Sequence, residues 1–252
     1  MNRTWVSALL LSVALLLTGC GGAQVGPRGS DGSDRLAGTS ATSGSDGSVR
    51  TESGSQRYDQ AISRVEIDSD AGDVELRSGP DGAAQVERTL RWTDERPTVT
   101  ESVDGDVLRI TARCPDGPRI GRCEVALTVT APAAVSVRTK LGAGGITVDD
   151  LTGDQDLATS AGRVHGAGLR GATVRAQSSA GGVELAFAAA PQQVEVRATA
   201  GDVTVRVPAT EAYRVQARST AGTVRVNVAD DPGATRTILA RTTAGDVTVT
   251  AS

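Results

Sequence analysis

Rings are what this sequence has least of. Of 252 residues only five are aromatic: two Trp, two Tyr and one Phe. Large rings anchor most bulky cores, so their scarcity argues against a compact sandwich with a thick interior. There is one His, which excludes a three-His metal centre. Leu/Lys/Glu runs are crowded out by Val, Thr and 30 Gly; Gly is a poor helix former, and a helical bundle is excluded. An excess of one charge is lacking too. The 26 basic and 30 acidic residues leave a formal −4, with no basic surplus to recruit nucleic acid. Beyond the N-terminus, no apolar run approaches the ~20 residues that a spanning helix needs.

What is present begins with an address. Residues 1–20 read MNRTWVSALLLSVALLLTGC, with Arg3 as a positive n-region and Val6 to Leu17 as a short apolar stretch. That is the pattern of a secretory signal rather than of a spanning helix. Leu17-Thr18-Gly19-Cys20 resembles the lipobox of bacterial lipoproteins. The resemblance implies cleavage after residue 19, acylation (palmitate) at Cys20, and anchoring on the extracytoplasmic face of the cell membrane. Residues 20–57 are mostly Gly, Ser, Thr, Asp and Arg. They have little to bury against their ordering entropy, so the sequence predicts a disordered tether there. The remaining cysteines, Cys114 and Cys123, flank the turn-rich PDGPRIGR between VLRITAR and EVALTVT. This spacing predicts a hairpin whose ends meet in a disulfide, as an exported protein permits; two Cys without nearby partners make a poor zinc site.

A repeat fills the rest. Ala-Gly recurs with its Gly at Gly72, Gly144, Gly162, Gly181, Gly201, Gly222 and Gly245. Two residues later stands Val74, Ile146, Val164, Val183, Val203, Val224 or Val247, and two further on there is usually a second apolar residue. From Gly144 the spacing grows from 18 to 23 residues, a period that means one unit repeated and stacked. Strand-like runs of period two flank each Ala-Gly. The pattern predicts an all-β, single-stack β-solenoid (β-helix) of ~20-residue rungs with two strand runs each. Gly takes φ > 0 at a corner, Ala points into a narrow interior, and the core is one or two Val wide with no room for rings. A two-sheet sandwich built from hairpins is the runner-up. The domain reading is therefore a signal segment 1–19, a tether 20–57 and a β domain 58–252, irregular over 58–136 and regular over 137–252.

IDSDAGDVELR (67–77), VLRITARC (107–114), CEVALTVTAP (123–132) and the AGxVxV units that follow resemble the DUF4097 β-strand-repeat family over about residues 58–252. Its members often carry an adhesin label and are commonly exported or membrane-attached. The resemblance implies a β-solenoid and transfers no binding residue.

Chemistry is sparse. His165 falls in the outward column with Glu184 and Thr204, without a matching nucleophile. Asp149, Asp150, Asp154 and Asp156 cluster in one loop, but the nonapeptide calcium repeat is absent. Turn preference accounts for most of these Asp residues, and whether the loop takes Ca²⁺ stays open. No catalytic residue, cofactor or metal ligand is assigned. Two function classes follow. One is a non-catalytic surface module for adhesion, envelope scaffolding or stress sensing, held to the membrane by its lipid. The other is a polysaccharide-binding or polysaccharide-cleaving β-helix, for which Tyr58, Trp92, Phe187 and Tyr213 are the available rings. An envelope polymer or protein is the expected partner, or a second copy meeting the open edge at VTVTAS.

Overall fold

The computed structural model describes residues 47–116 and 121–252. The signal segment, Cys20 and the tether up to residue 46 lie outside the described residues. Among the described residues every regular element is a strand. The first seven are β1 (Arg50–Tyr58), β2 (Arg64–Ala71), β3 (Val74–Gly79), β4 (Ala84–Trp92), β5 (Thr98–Asp104), β6 (Val107–Arg113) and β7 (Cys123–Pro132). The regular run follows with β8 (Ser136–Ala143), β9 (Ile146–Asp149), β10 (Gln155–Ala161), β11 (Val164–Leu169), β12 (Thr173–Ala180) and β13 (Val183–Phe187). It ends with β14 (Gln193–Ala200), β15 (Val203–Val207), β16 (Arg214–Ala221), β17 (Val224–Asn227), β18 (Thr237–Ala244) and β19 (Val247–Ala251).

Alternating Val with Thr, Arg or Glu gives each strand one apolar side, and two such sides close on each other. Among the described residues the strands form two mixed sheets. One runs β1-β4-β7-β3-β9-β11-β13-β15-β19-β17 and the other β16-β18-β14-β12-β10-β8-β2-β6-β5. Each Ala-Gly corner carries the chain from the second sheet to the first, so a corner and its two strands make one rung. Successive rungs pair in parallel and in register: Val164 lies beside Ile146 and Val183, and Val183 beside Val203.

The interior is wider than one or two Val. On β14 and β15, Val194, Val196, Ala198, Val203, Val205 and Val207 are all buried, each large aliphatic side chain contributing about 1.5–3 kcal/mol on burial. Three inward positions on each of two facing strands leave space for rings: Trp92, Phe187 and Tyr213 are buried as well. The corner Ala residues are not interior either. Ala143, Ala161, Ala180, Ala200, Ala221 and Ala244 are exposed, because they stand where the strand has already reached the corner, past the side chains of the facing sheet.

Three further expectations are corrected. The folded part begins at Arg50, not Tyr58: β1 pairs antiparallel with β4 from Arg50↔Trp92 to Tyr58↔Ala84. Main-chain pairing needs no apolar side chains, which is why a Ser/Thr/Glu segment reads as tether and folds as strand. Cys114 and Cys123 are joined, with Cα atoms 5.9 Å apart, but not in a hairpin. β6 pairs with β2 and β5 in one sheet and β7 with β3 and β4 in the other, so the disulfide closes a corner where the other rungs have Ala-Gly. Last, the edge is not at VTVTAS. β18 lies between β14 and β16, and β19 between β15 and β17. The final rung of the sequence is inserted one place inward, leaving β16 and β17 as the outermost strands.

Candidate functional site

The corners are built from main chain. Gly162 N–H donates to Ala180 C=O of the next rung (2.8 Å), Gly181 N–H to Ala200 C=O (2.8 Å), and Gly201 N–H to Ala244 C=O (2.8 Å). The corner glycines have φ between 119° and 151°, the left-handed side that favours Gly. Beneath four of the seven corners an inward hydroxyl two residues before Ala bonds the neighbouring rung; Leu141 and Ala198 hold that position at two others. Thr159 donates to Gly144 C=O (3.0 Å), Ser178 to Gly162 C=O (2.8 Å), Thr242 to Gly201 C=O (2.9 Å) and Ser219 to Gly245 C=O (2.7 Å). The carboxylates after Gly point along the stack: Asp73 Oδ1 accepts Gly145 N–H (2.7 Å), Asp202 accepts Asp246 N–H (2.8 Å) and Asp246 accepts Thr223 N–H (2.8 Å). In the sequence the Asp residues after Gly stand out as a column that turn preference explains; neither their bonds along the stack nor the hydroxyl set is legible there. Hydroxyls recur at residues 159, 178, 219 and 242, but Ser and Thr recur at outward positions as well, so the recurrence alone does not mark the set.

The acidic loop does not converge. Asp154 accepts Thr173 N–H (2.9 Å), Asp156 faces Arg138 (3.8 Å) and Asp150 faces Arg170 (3.8 Å). Burial pushes the Asp149 carboxyl up. Among the described residues no three His, Cys, Asp or Glu side chains are grouped for a metal ion. His165 sits half exposed, with Nδ1 3.7 Å from a Glu184 oxygen. Glu184 also binds Arg206, whose guanidinium holds its carboxyl below the usual range. The rings available for stacking on a sugar are withdrawn. Trp92, Phe187 and Tyr213 are in the core, and Tyr58 is half-buried with its hydroxyl donating to Glu101 (2.6 Å).

The outer face of the nine-stranded sheet carries an ordered charge pattern. Arg109, Glu66, Arg138, Asp156, Arg175 and Glu195 follow one another on β6, β2, β8, β10, β12 and β14, in register. The signs alternate at every step. Direct pairs form between Arg109 and Glu66 (2.7 Å) and between Arg175 and Glu195 (3.3 Å). Opposite charges on adjacent strands fix register and contribute a few tenths of a kcal/mol each, about 0.2–1. The pattern stops at β18 and β16, where Leu239 and Gln216 take the positions. One column over, Arg197, Arg241 and Arg218 stand side by side on β14, β18 and β16.

The two ends of the stack differ. At the β1 and β5 end, Glu101 accepts from Tyr58 and from Arg88, so β1, β4 and β5 are tied across the sheets by partly buried polar groups. Arg96 grips Glu52 of β1 with Nε and Nη2 (2.8 and 2.6 Å) and lies over the Trp92 ring. At the other end Val224 and Val226 are each 41% exposed, although they occupy columns whose other members are buried.

Comparison with known proteins gives a family and a set of distant folds. The family model described as Toastrack DUF4097 matches residues 124–251. None of the curated proteins matches. Among solved structures, a candidate cell adhesion protein from Clostridium sporogenes ATCC 15579 aligns at 10% identity and TM-score 0.49, over 81% of this chain and 100% of that one. A candidate adhesin from Bacteroides fragilis NCTC 9343 aligns at 15% identity and TM-score 0.44, over 80% and 97%. A candidate lipid-binding protein from Parabacteroides distasonis ATCC 8503 aligns at 8% identity and TM-score 0.32, over 82% and 98%.

Proposed function

The chain belongs to the Toastrack DUF4097 family, and we propose that it is a lipid-anchored, non-catalytic single-stack β-solenoid on the extracytoplasmic face of the cell membrane. It acts there in adhesion, envelope scaffolding or envelope-stress sensing. The observation that carries this reading is the destination of the polar side chains. Hydroxyls and carboxylates that a reaction would use are spent on holding rung to rung, as with Ser178 on Gly162 and Asp246 on Thr223. The rings that a polysaccharide enzyme would use are buried or half-buried, and among the described residues no three His, Cys, Asp or Glu are grouped for a metal ion. The product of such a layout is a stiff, elongated, charge-patterned surface. The lipobox-like Leu17 to Cys20 and the polar stretch after it support an anchored spacer beneath that surface, with two or more acyl chains giving stable attachment.

The test is direct. Cells fed an alkynyl palmitate label the chain, and Cys20→Ser abolishes the label and moves the protein from the membrane fraction to the soluble one. Protease added to intact cells, or to spheroplasts where an outer membrane intervenes, degrades the anchored form. A chain that remains on the membrane without Cys20, or that is protected from outside protease, sinks this reading.

A further inference from the structure

We propose that the rung formed by β16 and β17 is a docking edge for an extended acidic strand of a partner protein, one with apolar residues facing inward and carboxylates outward. Three observations converge. First, both sheets end at this rung, with no strand beyond β16 or β17 among the described residues. An unpaired edge is a template for an added strand. The start of β16 is already covered, since Val215 N–H donates to Asp230 Oδ1 (3.0 Å) and Tyr213 N–H to Ala229 C=O (2.9 Å). The open part is therefore the second half of β16 together with β17.

Second, Val224 and Val226 continue the inward columns of Val247 and Val249, both fully buried. Val49 apart, they are the large apolar residues left exposed among the described ones. What they lack is one more rung.

Third, the charge at the edge is incomplete. In the column from Arg109 on β6 to Glu195 on β14 each charge meets its opposite on the next strand. At the end three arginines stand together, and only Arg197 has a carboxylate, Glu195. Arg241 Nε is buried with no protein partner. Arg218 is the outermost of the three. A carboxylate on an added strand would lie beside it, in the relation Glu195 has to Arg175.

The same charges decide between occupants. A second copy docking by this rung would bring no carboxylate, since the outward residues are Arg214, Gln216, Arg218 and Thr220 on β16 and Arg225 and Asn227 on β17. Arg218 would meet a neutral or like-charged residue, and like charges directly opposite are destabilising. A linear polyanion would answer the arginines but leave the two valines bare. A strand alternating Val with Glu answers both.

The experiment uses the full chain in detergent micelles and three fluorescein-labelled peptides. One alternates Val and Glu, the second alternates Val and Lys, and the third is the first with a central Pro. Fluorescence anisotropy is expected to show binding of the Glu peptide, loss with Pro, and preference over the Lys peptide by about tenfold or more. Arg218→Glu is expected to invert that preference. Val226→Thr, milder for folding, weakens the Glu peptide without changing the preference. Equal binding of all three peptides overturns the proposal. So does a dimer in sedimentation that survives Arg218→Glu, which makes the occupant a second copy. Displacement by inorganic polyphosphate together with indifference to Val226→Thr overturns it in favour of a polyanion. None of these outcomes depends on the lipid or on surface display.

Discussion

At Gly181 two constraints meet on one atom that is not there. Its φ is 143°, and a Cβ would fall inside contact distance of the Gly162 carbonyl oxygen one rung away. Gly82 also has positive φ, at 83°, but open space around it. Gly181→Ala should therefore cost about 2–4 kcal/mol and Gly82→Ala about 1 kcal/mol, read from urea midpoints. The hydroxyl column gives a second contrast. Ser178→Ala leaves the Gly162 carbonyl without its side-chain donor and should cost about 1–2 kcal/mol. Thr139 is buried in the sheet interior and its hydroxyl finds no protein partner, so Thr139→Val should raise stability by up to about 1 kcal/mol. Equal effects at residues 178 and 139 would refute the distinction. The glycines could be read from the sequence because their register is strict. The hydroxyls could not, because Ser and Thr are as common on a wet strand face as they are here on a dry one. Ala misled for a related reason: period-two alternation assigns it inward, and only the position of the corner shows that nothing faces it.

Among the elements, β6 and β7 show how a correct bond can sit in the wrong motif. Two strands joined by a short turn, each ending in Cys, satisfy a hairpin and a corner equally, since both bring the ends within disulfide distance. The choice depends on which strands lie beside them, β2 and β3, and those are more than thirty residues away in sequence. Because the bridge takes the place of an Ala-Gly corner, it clamps the two sheets together at that rung. Reducing it, or Cys114→Ser with Cys123→Ser, should lower stability by about 2–3 kcal/mol in the loop-entropy account. The loss is expected to appear at the β1 and β5 end, as earlier proteolysis of β4 and β5, while β10 to β15 stay protected. β1 was hidden for another reason. An edge strand bound by its main chain has no apolar signature, and RTESGSQRY resembles the linker before it.

Over the described residues stability should be graded from the centre outward, as expected where each rung touches only its neighbours. Amide exchange should be slowest in β10, β12 and β14 and fastest in β16 and β17; uniform protection would contradict the open edge. The opposite end answers to pH. Burial, with the hydrogen bond to Glu101 second, pushes the Tyr58 hydroxyl up. A folded pKa above the unfolded value of about 10 means the stabilisation is complete below that pH and is lost as pH rises through the folded value. Wild type should therefore lose stability at that end above pH ~10, and Tyr58→Phe should be flatter there and weaker at neutral pH. The inserted rung has a consequence of another kind. Residues 214–227 precede 237–251 in the chain yet stack outside them. Their apolar pattern fits β14 and β15 equally well, since Val215 and Val194 both pair with Ile238. A chain emerging N-terminus first from a ribosome or an export channel thus presents β14 and β15 with the wrong neighbour before the right one exists. The finished order requires that early neighbour to be held away, or displaced when residues 237–251 arrive.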